Sequence, residues 1–247
     1  MKHVGVVALV VTVVALIPQL GEAQGRSDRE WQNNVLFYGF GASITGDGVF
    51  GPIEQPDDVP IGDTLDKLQM GFLGAYRGSN DRFSVVADVV YLALGNSKDT
   101  GLVRRADLDL LLVDVTAGYR FSSTFEAFGG LRVTDLRAKI GLGDPIRREF
   151  EPSNTFYDPI FGARVMAPLD EGGKWWLQSR GDIGGFGVGV DFTWQAMAHI
   201  GFKPSEWISI WGGYRALGQD FEEAGERERF SMDVIYHGPV FGVGIHF

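Results

Sequence analysis

The last stretch of the chain, Phe230 to Phe247, reads FSMDVIYHGPVFGVGIHF and repeats with a period of two. From Pro239 every second side chain is apolar (Pro239, Phe241, Val243, Ile245, Phe247), and the alternate set is Val240, Gly242, Gly244 and His246. Successive residues of a strand point to opposite faces, so one face here is greasy and the other small or polar. That division suits a strand with lipid on one side and a narrow, protein-filled lumen on the other. Such strands must close into a ring, because hydrocarbon offers nothing to an unpaired backbone edge.

The same alternation recurs along the chain. A first strand starts at Asn33, where Leu36, Tyr38, Phe40 and Ile44 alternate with Gly39, Gly41 and Ser43. Asp47 to Leu68 is rich in Gly, Pro and acid, ends in a helix-like DTLDKL, and is read as an outer loop. Further strands are predicted over Gln69 to Arg77, Arg82 to Leu94, Asp107 to Phe121, Thr124 to Ile140 and Thr155 to Ala167. After a turn at Asp170 to Gly173, the alternation resumes around Trp175 to Ile183, then over Asp191 to Phe202 and from Ile208 to Arg215. The charged segment Asp220 to Arg229 leads into the final strand. The fold class is therefore all-β, an antiparallel transmembrane β-barrel of about ten strands, with eight as the alternative count. Short turns alternate with mostly longer loops, which is the usual asymmetry between the periplasmic and outer ends of such barrels.

The beginning of the chain has a different character. Lys2 and His3 precede an apolar run from Val4 to Ile17, and Gly21-Glu22-Ala23 supplies small residues at the positions a signal peptidase reads. Residues 1–23 are expected to be a cleaved signal peptide and 24–247 the barrel domain. The apolar run, about 14 residues, is too short for a spanning helix. The chain has no cysteine, which excludes disulfides, thiolate zinc sites and c-type haem attachment. No later segment offers the roughly 18 consecutive apolar residues of a membrane helix. A mean hydropathy near zero fits strands whose two faces cancel in any average. The net charge of −10 argues against a nucleic-acid partner, which needs a basic surface.

Charges within the predicted strands fall repeatedly on the small and polar face: Asp88, Asp114, Arg120, Arg132, Arg164, Arg180, Asp182 and Arg215. An Arg on the lipid face near the midplane costs about 2–4 kcal/mol, so these side chains are expected to face the lumen. There they form either a salt-bridged plug or a charged constriction that selects solutes. Trp175, Trp176, Trp207, Phe121, Phe125 and Phe202 lie near the short turns and read as an aromatic girdle. After the signal peptide three histidines remain. His199 is expected to face inward within reach of Asp182 or Asp114, as a member of the lumen network; His246 sits almost at the periplasmic end. Ser231, Asp233 and His237 share a strand over about 20 Å and cannot form a triad by themselves. The acidic loop residues Asp57, Asp58, Asp63, Asp66, Glu222, Glu223, Glu226 and Glu228 offer either a site for divalent cations bridging to lipopolysaccharide or solvated charge; they lack calcium-loop spacing, so the second reading is taken and no cofactor or metal is expected. The glycines of GDIGGFGVG lack nucleotide-loop context and are read as allowing bulges or close packing.

The runs GDIGGFGVGVDFTWQ, LQMGFLGAY, VVADVVYLALG, WGGYRALGQDF and GPVFGVGIHF resemble a widespread family of uncharacterised bacterial outer-membrane β-barrel proteins, loosely grouped with porin-like proteins. The resemblance touches most of the chain after the leader. It implies the outer membrane as location, with outer-membrane lipids and lipopolysaccharide as surroundings. In such proteins the closing strand is the assembly signal, which places that role on Phe241, Val243, Ile245 and Phe247, with the barrel-assembly machinery as the partner during biogenesis. The family supplies no catalytic residue. The function expected is that of a non-enzymatic envelope protein, a structural or interaction barrel or a narrow passive channel, with a lipid-modifying or proteolytic barrel as the alternative.

Overall fold

The computed structural model describes residues 31–50, 53–56, 68–97, 103–142, 149–150, 153–224 and 229–247. Its strands are β1 (Gln32–Phe40), β2 (Ser43–Phe50), β3 (Ile53–Pro56), β4 (Leu68–Ser79), β5 (Phe83–Ser97), β6 (Val103–Arg120) and β7 (Phe125–Leu142). They continue as β8 (Glu149–Phe150), β9 (Ser153–Pro168), β10 (Trp175–Gly185), β11 (Phe192–Phe202), β12 (Ile208–Ala224) and β13 (Arg229–His246). All pairings are antiparallel. The ring closes where β13 pairs with β12 on one side and with β1 and β2 on the other.

β1 and β2 are one strand of a ten-stranded barrel. Phe40 faces Val240 and Ser43 faces His237, so no residue is inserted between the two pieces. The ladder lapses opposite Pro239, which accepts from the Gly41 N–H at 2.9 Å but has no N–H to return. β3 and β8 are short additions that pair with β2 and β7 at the loop end.

The tight turns at Asn80 to Arg82, Phe121 to Thr124, Leu169 to Lys174 and Lys203 to Trp207 lie at one end, together with Gln32 and Phe247. At the other end, the glycine-rich run is a hairpin turn between β10 and β11, with Gly185, Phe186 and Gly187 at positive φ (87°, 54° and 73°). Two glycines suit such a turn because they lack the Cβ that makes this region costly. The hairpin folds over the lumen. Val190 is buried with Phe156 and Phe221, and its N–H donates to the inward Asp158 at 2.8 Å.

Several strands are longer than expected. β12 runs through Asp220 to Ala224, part of the segment read as a charged connection. β6, β7 and β13 reach 18 residues, more than the roughly 9–11 a tilted strand needs to cross a bilayer. The outward charges on β7 sit in its upper reach, where Asp135 accepts from Arg137 at 3.0 Å and from Thr155 at 3.1 Å. The expected signal peptide, the helix-like segment before Leu68 and the acids Asp57, Asp58, Asp63, Asp66, Glu226 and Glu228 lie outside the described residues.

The inward face is not polar throughout. Its loop-end half is an apolar core of Val90, Leu92, Leu110, Leu112, Leu136, Leu217, Val234 and Tyr236, with Tyr38, Phe40, Ile44 and Leu73 packed against it. On the first strand it is therefore the large set, Tyr38, Phe40 and Ile44, that faces inward.

Candidate functional site

Beneath that core, side chains from seven strands meet in a belt across the lumen. Arg132 on β7 is fully buried and donates to both oxygens of Asp114 on β6 (2.9 and 3.0 Å), to Asp182 on β10 (2.9 Å) and to Thr193 on β11 (3.0 Å). Arg180 on β10 bridges the same two acids, donating to Asp182 at 2.8 Å and Asp114 at 2.7 Å. Arg215 on β12 donates to Gln195 on β11 (2.6 and 3.0 Å), to the Tyr38 hydroxyl on β1 (3.0 Å) and to Asp88 on β5 (3.2 Å). Tyr38 in turn donates to Asp88 at 2.5 Å. β12 and β5 lie four steps apart around the ring, so Arg215 spans the lumen. Three arginines face three aspartates, and the belt is charge-balanced.

A second cluster lies toward the turns, and it is not balanced. Glu126 accepts from Arg77 at 2.6 Å, from Arg164 at 2.5 Å and from Ser84 at 2.8 Å. Arg120 stands third in line, with its Nε 3.6 Å from Glu126, buried and without a hydrogen-bond partner. Arg164 also donates to Thr116 at 2.8 Å and lies 3.9 Å over the Phe128 ring. This cluster borders a cavity of about 860 Å³ that runs from Asp88, Arg180 and Arg215 down to a rim formed by Gln32, Ser123, Gly173, Lys203, Trp207 and Phe247. The cavity thus ends at the belt and opens at the turn end.

The histidines take three different environments. His199 does not reach Asp182 or Asp114, whose oxygens are held by Arg132 and Arg180. It stands between Trp176 and Trp211, ring centroids 5.0 and 4.9 Å away, with its Nδ1 buried and unpartnered. Trp176 is not part of the girdle: it turns inward on β10 and its indole lies over Gly201, where any Cβ would meet it at 2.1 Å. His246, at the cavity wall, bonds through Nε2 to Ser209 Oγ (2.9 Å) and through Nδ1 to Asn34 Oδ1. That is the order hydroxyl, imidazole, orienting group of a serine hydrolase. Facing outward, His237 joins Tyr214 (2.7 Å) and Thr45 (3.1 Å), which satisfies both ring nitrogens with no carboxylate.

Of the charged residues singled out from the sequence, Asp88, Asp114, Arg132, Arg180, Asp182 and Arg215 meet in the belt, and Arg120 and Arg164 in the lower cluster. Glu126, the carboxylate that three arginines approach, was not singled out from the sequence. Arg77, Tyr38 and Gln195 were not anticipated. Arg77 stands alone among small residues near a strand end, and Tyr38 and Gln195 carry no charge to draw notice. Asn34 and Ser209 were missed because only ring closure brings them to His246.

The outer face completes the description. Phe37, Phe72, Phe83, Tyr119, Leu131, Phe161, Ile183, Ile200, Ile210 and Phe241 are 41–65% exposed, one on each of the ten barrel strands. Water does not tolerate an apolar band of this extent around a whole molecule, whereas lipid requires it. This is an outer-membrane β-barrel. Phe83, Tyr119, Phe121 and Phe125 form a chain of ring contacts (5.6, 5.1 and 5.9 Å) at the turn end, and Trp175 packs on Phe202 at 4.7 Å, as an interfacial girdle does.

No protein-family model matches the chain, and no curated protein matches it. Solved structures to which it is similar include Ail, the attachment invasion locus protein of Yersinia pestis, at 12% identity over 88% of this chain and 98% of that one, TM-score 0.41. The translocator domain of the autotransporter NalP from Neisseria meningitidis is 10% identical over 98% of both chains, TM-score 0.43. Neisserial surface protein A is 11% identical over 91% of this chain and 100% of that one, TM-score 0.34.

Proposed function

We propose that this barrel is a non-conducting protein of the outer membrane, a structural or interaction barrel without enzymatic activity. The observation that supports this reading is the belt. An arginine with four or more hydrogen bonds to three strands leaves no lane for a hydrated ion, and the apolar core and the β10–β11 hairpin stand behind it. The band of exposed apolar side chains is solvated by outer-membrane lipids and lipopolysaccharide. β13, with Phe241, Val243 and Ile245 exposed on its lipid face and the exposed Phe247 just after it, is the strand the assembly machinery engages after residues 1–23 are removed as a signal peptide. The test is conductance in a planar bilayer of refolded protein whose heat-modifiable gel shift shows a folded barrel. Silence is expected from the wild type; discrete steps would overturn the reading in favour of a narrow channel.

A second reading, a membrane-embedded hydrolase, is favoured by one observation, the Ser209–His246–Asn34 chain at the cavity wall. In that reading His246 Nε2 takes the Ser209 proton and Asn34 holds the ring. Labelling by a fluorophosphonate that is lost in Ser209→Ala would support it, and an unlabelled folded barrel would remove it.

A further inference from the structure

We infer that the cavity at the turn end is a binding site for an anionic amphiphile, a carboxylate or phosphate head joined to an apolar body, taken from the cell side of the membrane. Two independent features of its wall lead there. The first is charge. Glu126 is the only carboxylate among the described residues that bridges Arg77, Arg120 or Arg164, so three guanidiniums share one negative charge. Arg120 is the one left over: its Nε has no hydrogen bond and its side chain keeps 21% exposure. Arg is the residue that best meets a planar or tetrahedral oxyanion, since its donors are fixed in a fork.

The second feature is the lining between the charges. The cavity wall carries Leu36, Val86, Met166 and Met197 beside polar side chains such as Gln178 and Ser209. A volume of about 860 Å³ lies within the roughly 300–1,000 Å³ range of small-ligand pockets. The guanidinium cluster gives the head its place, and the apolar side chains of the wall accommodate the body.

This site stands apart from the question of conduction, since the cavity ends at the belt whether or not ions leak past it. The experiment is a titration of the refolded barrel in a neutral maltoside detergent with decyl phosphate and with decanoate, read by tryptophan emission. Decyltrimethylammonium serves as the control of opposite charge. Saturable change with either anion and none with the cation is expected. Arg120→Gln leaves the Glu126 bonds to Arg77 and Arg164 in place and should weaken binding at least tenfold. Retained heat-modifiability keeps the variant interpretable. Equal response to both charge types, no saturation, or unchanged affinity in Arg120→Gln would each overturn the proposal.

Discussion

The lumen is filled in two ways by the same strands. On β6, Leu110 and Leu112 belong to the apolar core at the loop end, while Asp114 and Thr116, on the same face, hold Arg132, Arg180 and Arg164 below. On β12, Leu217 lies in the core and Arg215 in the belt one step beneath it. Parity along a strand therefore decides inside from outside, and depth decides which chemistry does the filling. The apolar half is held by dispersion and exclusion from water, which tolerate small changes of shape. The charged half is held by ions far from water, where each group depends on the presence of its partners.

Substitutions sharpen that contrast. Arg132→Ala strips Asp114 and Asp182 of their shared cation and leaves Arg180 alone against two carboxylates. It should cost about 3–5 kcal/mol in urea unfolding of the barrel in lipid vesicles, followed by tryptophan emission. Leu112→Ala in the apolar half should cost about 2–3 kcal/mol by the same measurement, the transfer loss plus a cavity. Replacing Arg132, Arg180, Asp114 and Asp182 together by Leu or Met should leave stability within about 1 kcal/mol of the wild type or raise it, because no ion is then left without a partner. A loss as large as that of Arg132→Ala would mean that the belt supplies net stability, and the contrast between the halves would fall. Trp176→Phe should change stability least, by about 0.5 kcal/mol or less, since the indole N–H it removes bonds to nothing.

The fold was legible because lipid punishes errors of parity. Eight charged residues on the polar face of six strands mark the lumen side, and the turn at Asp170 to Gly173 marks a strand end. What alternation could not convey was depth. Leu110 and Leu112 share a face with Asp114, and a period of two says nothing of where the polar run stops. The first strand illustrates the limit most clearly: Tyr38, Phe40 and Ile44 are large and apolar, which suggests lipid, yet they fill the inside. Trp176 misled for a related reason. Two adjacent tryptophans near a turn look like one girdle, although neighbours on a strand must face opposite ways. The Ser209–His246–Asn34 chain was out of reach because it joins the first, ninth and tenth barrel strands across the closure, a long-range arrangement with no local signature.

The balance of three arginines and three aspartates also constrains how this barrel reaches its place. Carried into hydrocarbon singly, a strand bearing Arg132 or Arg215 would take an unpartnered cation to the midplane, at about 2–4 kcal/mol apiece. Joined, the six charges cancel and travel as a neutral body. A lone strand would carry these ions unpaired and the joined ring carries the belt neutral, so pairing with the right neighbours lowers the cost of crossing into the membrane.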